Sequence, residues 1–213
     1  MIGINANERG ECHSEDAAGY LVGELTDASV GIEIVARDQF DRVLANVWLE
    51  DELVNLTLVA SGLVIAQTPT PENPNGPALI AAEEDAYESG LGLWSPDACG
   101  SAGPVPEIGF DLGTFFIDPP GPDGDSLDDE YVVVVNNGEE TVDMTGWILR
   151  DESSRNRKAF ADGTTLAPGE QIEVSSGCAG RLSWCAGSPI WNNDGDMALL
   201  LDAYGTVVAR ARY

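Results

Sequence analysis

The sequence predicts a mainly β chain with helices confined to its first half: an α+β domain over residues 1–99, then an all-β sandwich over residues 108–213. Three observations support this. Helical periodicity occurs only within the first hundred residues. A Pro/Gly/Ala/Ser-rich stretch at 96–107 (Pro96, Gly100, Ser101, Ala102, Gly103, Pro104, Pro106) follows, and its residues 100–107 read as a linker. Beyond it, short β-prone runs are punctuated by turn signals every eight to twelve residues, the spacing of a sandwich.

In the first domain, Ser14 is expected to cap a helix reaching about Thr26, with Ala17, Ala18, Leu21, Val22 and Leu25 as its apolar face. Val30–Ala36 alternates like a strand, with Val30, Ile32 and Ile34 on one face, and Val43–Leu49 forms a second strand. Leu53–Ala60 reads as a short helix closed by Gly62. Thr68–Pro77, with four prolines, reads as a loop, and Ala78–Ser89 as an amphipathic helix ended by Gly90–Trp94. In the second domain the expected strands are Phe110–Ile117, Tyr131–Asn136, Gly146–Arg150, Gln171–Ser175, Ala198–Leu201 and Val207–Arg212.

Ten basic residues against 37 acidic ones give a net charge of −27. Residues 1–100 carry 18 acids and 3 bases, and residues 101–213 carry 19 acids and 7 bases, so the acidity is no local tail. Lys158 is the single lysine. Even acidity without lysine suggests a proteome living in high salt, where the Debye length falls to about 3 Å near 1 M and self-repulsion is screened. The other reading is an ordinary acidic secreted protein. In dilute buffer this charge opposes nucleic-acid binding; in molar salt only local contacts count.

Cys12, Cys99, Cys178 and Cys185 allow three pairings. Pairing within each domain is the simple expectation and implies an oxidising compartment. With no Cys-x-x-Cys pair and His13 the only histidine, a zinc cage is not expected. No run approaches the roughly 18 apolar residues of a membrane span. A secreted protein is expected to carry a signal peptide, and Met1-Ile2-Gly3-Ile4 has neither its basic start nor its apolar core.

The run Arg37-Asp38-Gln39-Phe40-Asp41-Arg42-Val43-Leu44-Ala45-Asn46-Val47-Trp48-Leu49, followed by Val54–Leu63 and Gly92-Leu93-Trp94-Ser95, resembles the core of the staphylococcal-nuclease (thermonuclease) family. The resemblance implies an OB-fold barrel with packed helices and a calcium-dependent phosphodiesterase. Asn5-Ala6-Asn7-Glu8 stands where that family has Asp-Thr-Pro-Glu. It therefore implies Glu8 as general base and Arg42 as the arginine that offsets charge on the phosphoryl oxygens. Asn5 falls at the calcium-binding aspartate and Ala6 at a residue ligating through its backbone carbonyl. A neutral Asn5 weakens calcium, whose affinity tracks carboxylate count. Asp38 lies near the family's aspartate before the strand, in place to orient this region. The family's first barrel strands, with a further aspartate and arginine, have no counterpart here. A partial OB-fold is therefore expected, either an N-terminally truncated form of a longer secreted protein or a degenerate remnant held by Cys12–Cys99.

Residues 108–213 resemble a lamin-tail domain, an immunoglobulin-like β-sandwich. The resemblance rests on Asp129–Asn137, Val142–Leu149, Leu166–Glu170, Trp191–Asp196 and Leu200–Asp202. It implies docking or binding to a partner not yet known, not chemistry. The acidic loop Asp118–Glu130 offers calcium oxygens without EF-hand spacing and reads as solvated. Arg150, Arg155, Arg157 and Lys158 form the one basic cluster, facing nucleic acid, an acidic glycan or a partner, or screening neighbouring carboxylates.

The function expected is thus a secreted or cell-surface nuclease-like protein that hydrolyses DNA or RNA with calcium in its complete form and carries a lamin-tail module. The alternative is a non-catalytic surface or nucleic-acid-binding protein with a decayed nuclease domain.

Overall fold

A computed structural model describes residues 1–38, 40–67, 73–101, 104–119, 126–178 and 182–213. The chain divides into two compact units, Met1–Cys99 and Gly100–Tyr213.

The first unit opens with β1 (Ile4–Asn5) and α1 (Ser14–Leu25), then β2 (Val30–Arg37), β3 (Val43–Leu49), β4 (Glu52–Leu53) and α2 (Val54–Ala60). β5 (Ile65–Ala66), α3 (Gly76–Glu88) and a 3-10 turn at Gly92–Trp94 complete it. β2, β3 and β4 make an antiparallel three-stranded sheet, while β1 pairs with β5. The core gathers Val54, Leu58 and Val59 of α2, Leu79 of α3, Ala17 of α1, and Val64 and Ala66. α2 is the most buried of the three helices for its length, with Val54, Asn55, Leu58 and Val59 all buried.

Local chemistry moves several boundaries. Ser14 is not the cap but the first helical residue; its Oγ donates to the Glu11 carbonyl at 2.7 Å, and His13 caps in the left-handed region at φ 60°. Of the expected apolar face of α1, only Ala17 is buried, and Val22 is 66% exposed. Pro77 opens α3 instead of closing the loop, because a proline in the first turn removes only an N–H that lacks a helical partner. Residues 68–72 of that expected loop lie outside the described residues. β1, β4 and β5, two residues each, are too short to show alternation.

The second unit is a β-sandwich. Its strands are β6 (Ile108–Phe110), β7 (Tyr131–Asn136), β8 (Val142–Asp143), β9 (Ile148–Arg150), β10 (Arg157–Ala159), β11 (Thr165–Leu166), β12 (Gln171–Ser175), β13 (Leu182–Ser183), β14 (Met197–Leu201) and β15 (Val207–Arg212). One sheet has the order β13-β12-β7-β6 and the other β10-β9-β14-β15, with β8 and β11 paired apart. Alternate residues from both sheets fill the space between: Val132, Val134, Ile172 and Val174 meet Leu149, Ala198, Leu200 and Ala209 around Trp147 and Trp191. The strand expected at Phe110–Ile117 stops at Phe110; Asp111 accepts a hydrogen bond from the Gly113 amide and starts a 3-10 turn. The described disulfides are Cys12–Cys99 and Cys178–Cys185, one within each unit. No helix among the described residues is long and apolar enough to cross a membrane.

Candidate functional site

Asn55 anchors the part of the first unit that holds the expected site. It is fully buried on α2; its Nδ2 donates to the Ile2 carbonyl at 2.9 Å and its Oδ1 accepts from the Val47 amide at 3.0 Å. The Ile2 amide in turn donates to the Ala45 carbonyl at 2.9 Å. The opening residues are therefore stitched to β3. Arg42 lies three residues before Ala45, and Glu8 six after Ile2. Asn55 was missed as a supporting residue; an asparagine inside the apolar run Val54–Ala60 was the available signal.

The turn between β2 and β3 is organised by Asp38. Its Oδ1 accepts from the amides of Phe40 (2.8 Å) and Arg42 (2.9 Å), and its Oδ2 accepts from Arg42 Nε at 2.5 Å. Desolvation pushes the Asp38 carboxyl up, but the hydrogen bonds from Arg42 and Phe40 and the Arg42 charge outweigh it and hold the group below the usual carboxylate range. The Arg42 guanidinium also lies 5.3 Å from the Phe40 ring centre, and its side chain remains 67% exposed. Arg42 is thus both an ion-pair partner and a presented cation. Arg37 caps the same turn through the Asp41 carbonyl at 2.8 Å.

Asn5 sits in β1 opposite Ile65, Ala6 follows it, and Glu8 is exposed in the next turn, where its amide donates to Glu11 Oε2 at 2.8 Å. A cavity of about 690 Å³, lined mainly by apolar groups including Ile4, Leu21, Leu58 and Val64, also touches Ala6 and Arg9. Ala6 is the one predicted site residue on its wall. Asn5, Ala6 and Glu8 offer oxygen donors, the right kind for calcium, but only one carboxylate among them. Among the described residues no three His, Cys, Asp or Glu side chains gather closely enough to hold a metal ion. The residues present do not amount to a built calcium site.

In the second unit the expected basic cluster is not a uniform surface. Arg150 is buried, with Arg157 directly opposite it across β9 and β10; Lys158 is half-buried and only Arg155 is exposed. Of the acidic loop, residues 120–125 lie outside the described residues. Its described ends serve the fold: Asp128 Oδ1 accepts from the Cys178 amide at 2.7 Å, and Asp118 accepts from Asn193 Nδ2 at 3.2 Å. A buried acidic group stands elsewhere. Asp196 accepts from the Met197 amide at 2.7 Å and the Glu152 amide at 3.3 Å, and Glu152 pairs with Arg212 at 3.2 Å. Burial, aided by the charge of Asp196, pushes the Asp151 carboxyl up to about 6 despite hydrogen bonds from Asn156 and Ser153.

Comparison with known proteins agrees with both halves. Residues 1–96 match the family described as Staphylococcal nuclease homologue, and residues 115–213 match the Lamin Tail Domain family. Over 93 residues the chain is 27% identical to a protein named Thermonuclease from Staphylococcus intermedius, covering 43% of this chain and 55% of that one. Over 92 residues it is 25% identical to an uncharacterized endonuclease from Haemophilus influenzae, covering 43% of this chain and 50% of that one. The chain spans about half the length of these curated relatives. It carries a staphylococcal-nuclease-homologue domain over residues 1–96, joined to a lamin tail domain over residues 115–213.

Proposed function

We propose that the first unit acts on the phosphodiester bonds of DNA or RNA, and that the second is a docking module whose partner has yet to be found. One observation carries the proposal: within the nuclease-homologue region, Arg42 is presented largely to solvent while Asp38 fixes its base. A planar, permanently charged guanidinium suits the phosphoryl oxygens better than an ammonium does. In the proposed reaction a water oxygen attacks phosphorus, Glu8 takes its proton, and Arg42 offsets the charge gathering on the phosphoryl oxygens. The leaving oxygen takes a proton from solvent.

Calcium is assigned a weak place. Asn5, Ala6 and Glu8 bring a single carboxylate, which gives a cation little charge to bind, so no step of the proposed reaction runs through calcium. The same poverty of charge favours the second reading, a unit that holds nucleic acid without cutting it. Two disulfides accord with an oxidising compartment, and we assign the protein to the cell exterior or surface. We also assign it to a salt-rich medium, a reading supported by its net charge of −27.

Incubating the full chain with DNA and with RNA in molar salt, at calcium from zero to tens of millimolar, tests the reading. Cleavage that is lost in Glu8→Gln is expected. Retention of DNA with no cleavage at any calcium concentration would establish the second reading, and neither retention nor cleavage would remove both.

A further inference from the structure

The two disulfides differ in exposure and in what else holds the chain around them. Cys12 and Cys99 are half-buried, whereas Cys178 and Cys185 are both exposed. Cys12–Cys99 joins residues 87 apart and Cys178–Cys185 residues only seven apart, so the second bond constrains the chain less. The segment it joins is also held by its backbone. The Trp184 amide donates to the Ser175 carbonyl, the Cys185 amide to the Gly177 carbonyl and the Ala186 amide to the Ser176 carbonyl, each at 2.8 Å. The Trp184 ring meets the buried Trp191 ring edge-on at 5.5 Å. Cys185 itself sits at φ 51°, a left-handed conformation that a residue with a Cβ enters at a cost. An exposed bond in a segment that the backbone also holds is open to exchange with a thiol.

We propose that Cys178–Cys185 is a covalent modification site, at which a small, positively charged thiol is taken up as a mixed disulfide. The site is independent of the nuclease reading. No described cysteine is free, so the thiol comes from outside the chain. Its thiolate sulfur attacks Cys178 Sγ along the sulfur–sulfur axis. A new sulfur–sulfur bond forms to Cys178, the bond to Cys185 breaks, and the electron pair leaves on Cys185 Sγ, which takes a proton from solvent. One disulfide replaces another, so the step needs no separate oxidant or reductant.

Local charge sets the direction. During exchange the negative charge lies on the two outer sulfurs, the incoming one and the leaving one. Asp128 Oδ1 accepts from the Cys178 amide at 2.7 Å, so this carboxylate disfavours negative charge on Cys178. Ser183 Oγ lies 3.6 Å from Cys185 Sγ, where its hydroxyl can donate to a thiolate. Cys178 is therefore the central sulfur and Cys185 the leaving one. The net charge of −27 repels anionic thiols and attracts cationic ones in dilute buffer, and molar salt screens both effects.

The test treats the full chain with cysteamine, or with glutathione as the anionic comparison, quenches early with a maleimide and maps the cysteines by peptide mass spectrometry. Cysteamine on Cys178, maleimide on Cys185 and an intact Cys12–Cys99 bond are expected. The ratio of the cysteamine rate to the glutathione rate should fall at least about threefold between about 0.1 M and molar salt. Ser183→Ala should slow opening by about threefold to tenfold, as the loss of one hydrogen bond to a charged sulfur implies. Opening of Cys12–Cys99 before Cys178–Cys185 overturns the proposal, and so does cysteamine on Cys185 as often as on Cys178. A rate ratio indifferent to salt overturns the choice of a cationic thiol. A Ser183→Ala rate equal to the parent's overturns Cys185 as the leaving sulfur.

Discussion

Arg42 Nε donates to Asp38 Oδ2 at 2.5 Å across a five-residue turn, while the backbone amide of Arg42 donates to the other oxygen of the same carboxylate at 2.9 Å. One side chain thus sets both the backbone and the guanidinium of the residue proposed to meet phosphate. The pairing is made through Nε, and the Arg42 side chain remains 67% exposed.

Removing that carboxylate should affect activity more than fold. Asp38→Ala is expected to lower the rate of phosphodiester cleavage, or the affinity for DNA, by about tenfold to a hundredfold through misplacement of Arg42. The far-ultraviolet circular dichroism of the variant should match that of the parent. Unchanged kinetics would show that Arg42 needs no anchor.

The Cys12–Cys99 bond closes a loop of 87 residues, nearly the whole first unit. Chain-entropy reasoning gives such a loop on the order of 4–5 kcal/mol of stabilisation. Cys12→Ser with Cys99→Ser should therefore lower the denaturant midpoint of the first unit sharply. Removing Cys178–Cys185, seven residues apart, should cost less.

Gly62 and Gly92 meet backbone to backbone. Both lie at positive φ (64° and 55°), and a Cβ on Gly62 would fall 2.1 Å from the Leu91 carbonyl oxygen. The Leu93 amide donates to the Gly62 carbonyl at 2.8 Å across this contact. Gly62→Ala combines a left-handed backbone with a backbone clash and should destabilise the first unit by about 3 kcal/mol or more. Thermal unfolding followed at Trp94, which the Gly92 turn carries, would read this directly.

Buried carboxylates give the second unit an acid-favouring term. The Asp151 carboxyl titrates near 6 in the folded chain and near 3.8 when unfolded, so the folded form holds the proton more tightly between those values. Its contribution therefore grows as pH falls from about 6 toward 4 and is lost as pH rises through 6. The burden of the charged form is on the order of 2–3 kcal/mol. Burial also raises the Tyr213 hydroxyl, with the charges of Asp196, Glu130, Glu152 and Asp151 adding to the effect. Melting of the second unit, followed by calorimetry at several pH values, should occur at higher temperature near pH 5 than near pH 8. The reverse order would contradict the burial argument for Asp151.

The sequence shows where apolar periodicity is long and hides where pairing is brief. Val43–Leu49 and Tyr131–Asn136 were legible because six or seven residues of β-prone character leave little choice of element. β4, β5, β8, β11 and β13 were not, since two residues hold no period and owe their strand character to a neighbour. Arg42 was legible as a candidate through the segment around it, and Asp38 as a residue placed to orient that region, while their direct contact was not. The buried state of Arg150 was not, because the residues that follow it, Asp151 and Glu152, are charged while its cover comes from tertiary packing. Asn55 escaped for the same reason: its partners, Ile2 and Ala45, lie 53 and 10 residues away.

The central claim is that the guanidinium of Arg42 engages nucleic-acid phosphate. The most direct test measures DNA cleavage and DNA retention by the full chain in molar salt, comparing the parent with Arg42→Ala and with Arg37→Ala. Arg37 serves as control because it is exposed and bound to Asp41 in the same turn. The account predicts a loss of about a hundredfold or more for Arg42→Ala and little change for Arg37→Ala. Equal behaviour of all three proteins would contradict it.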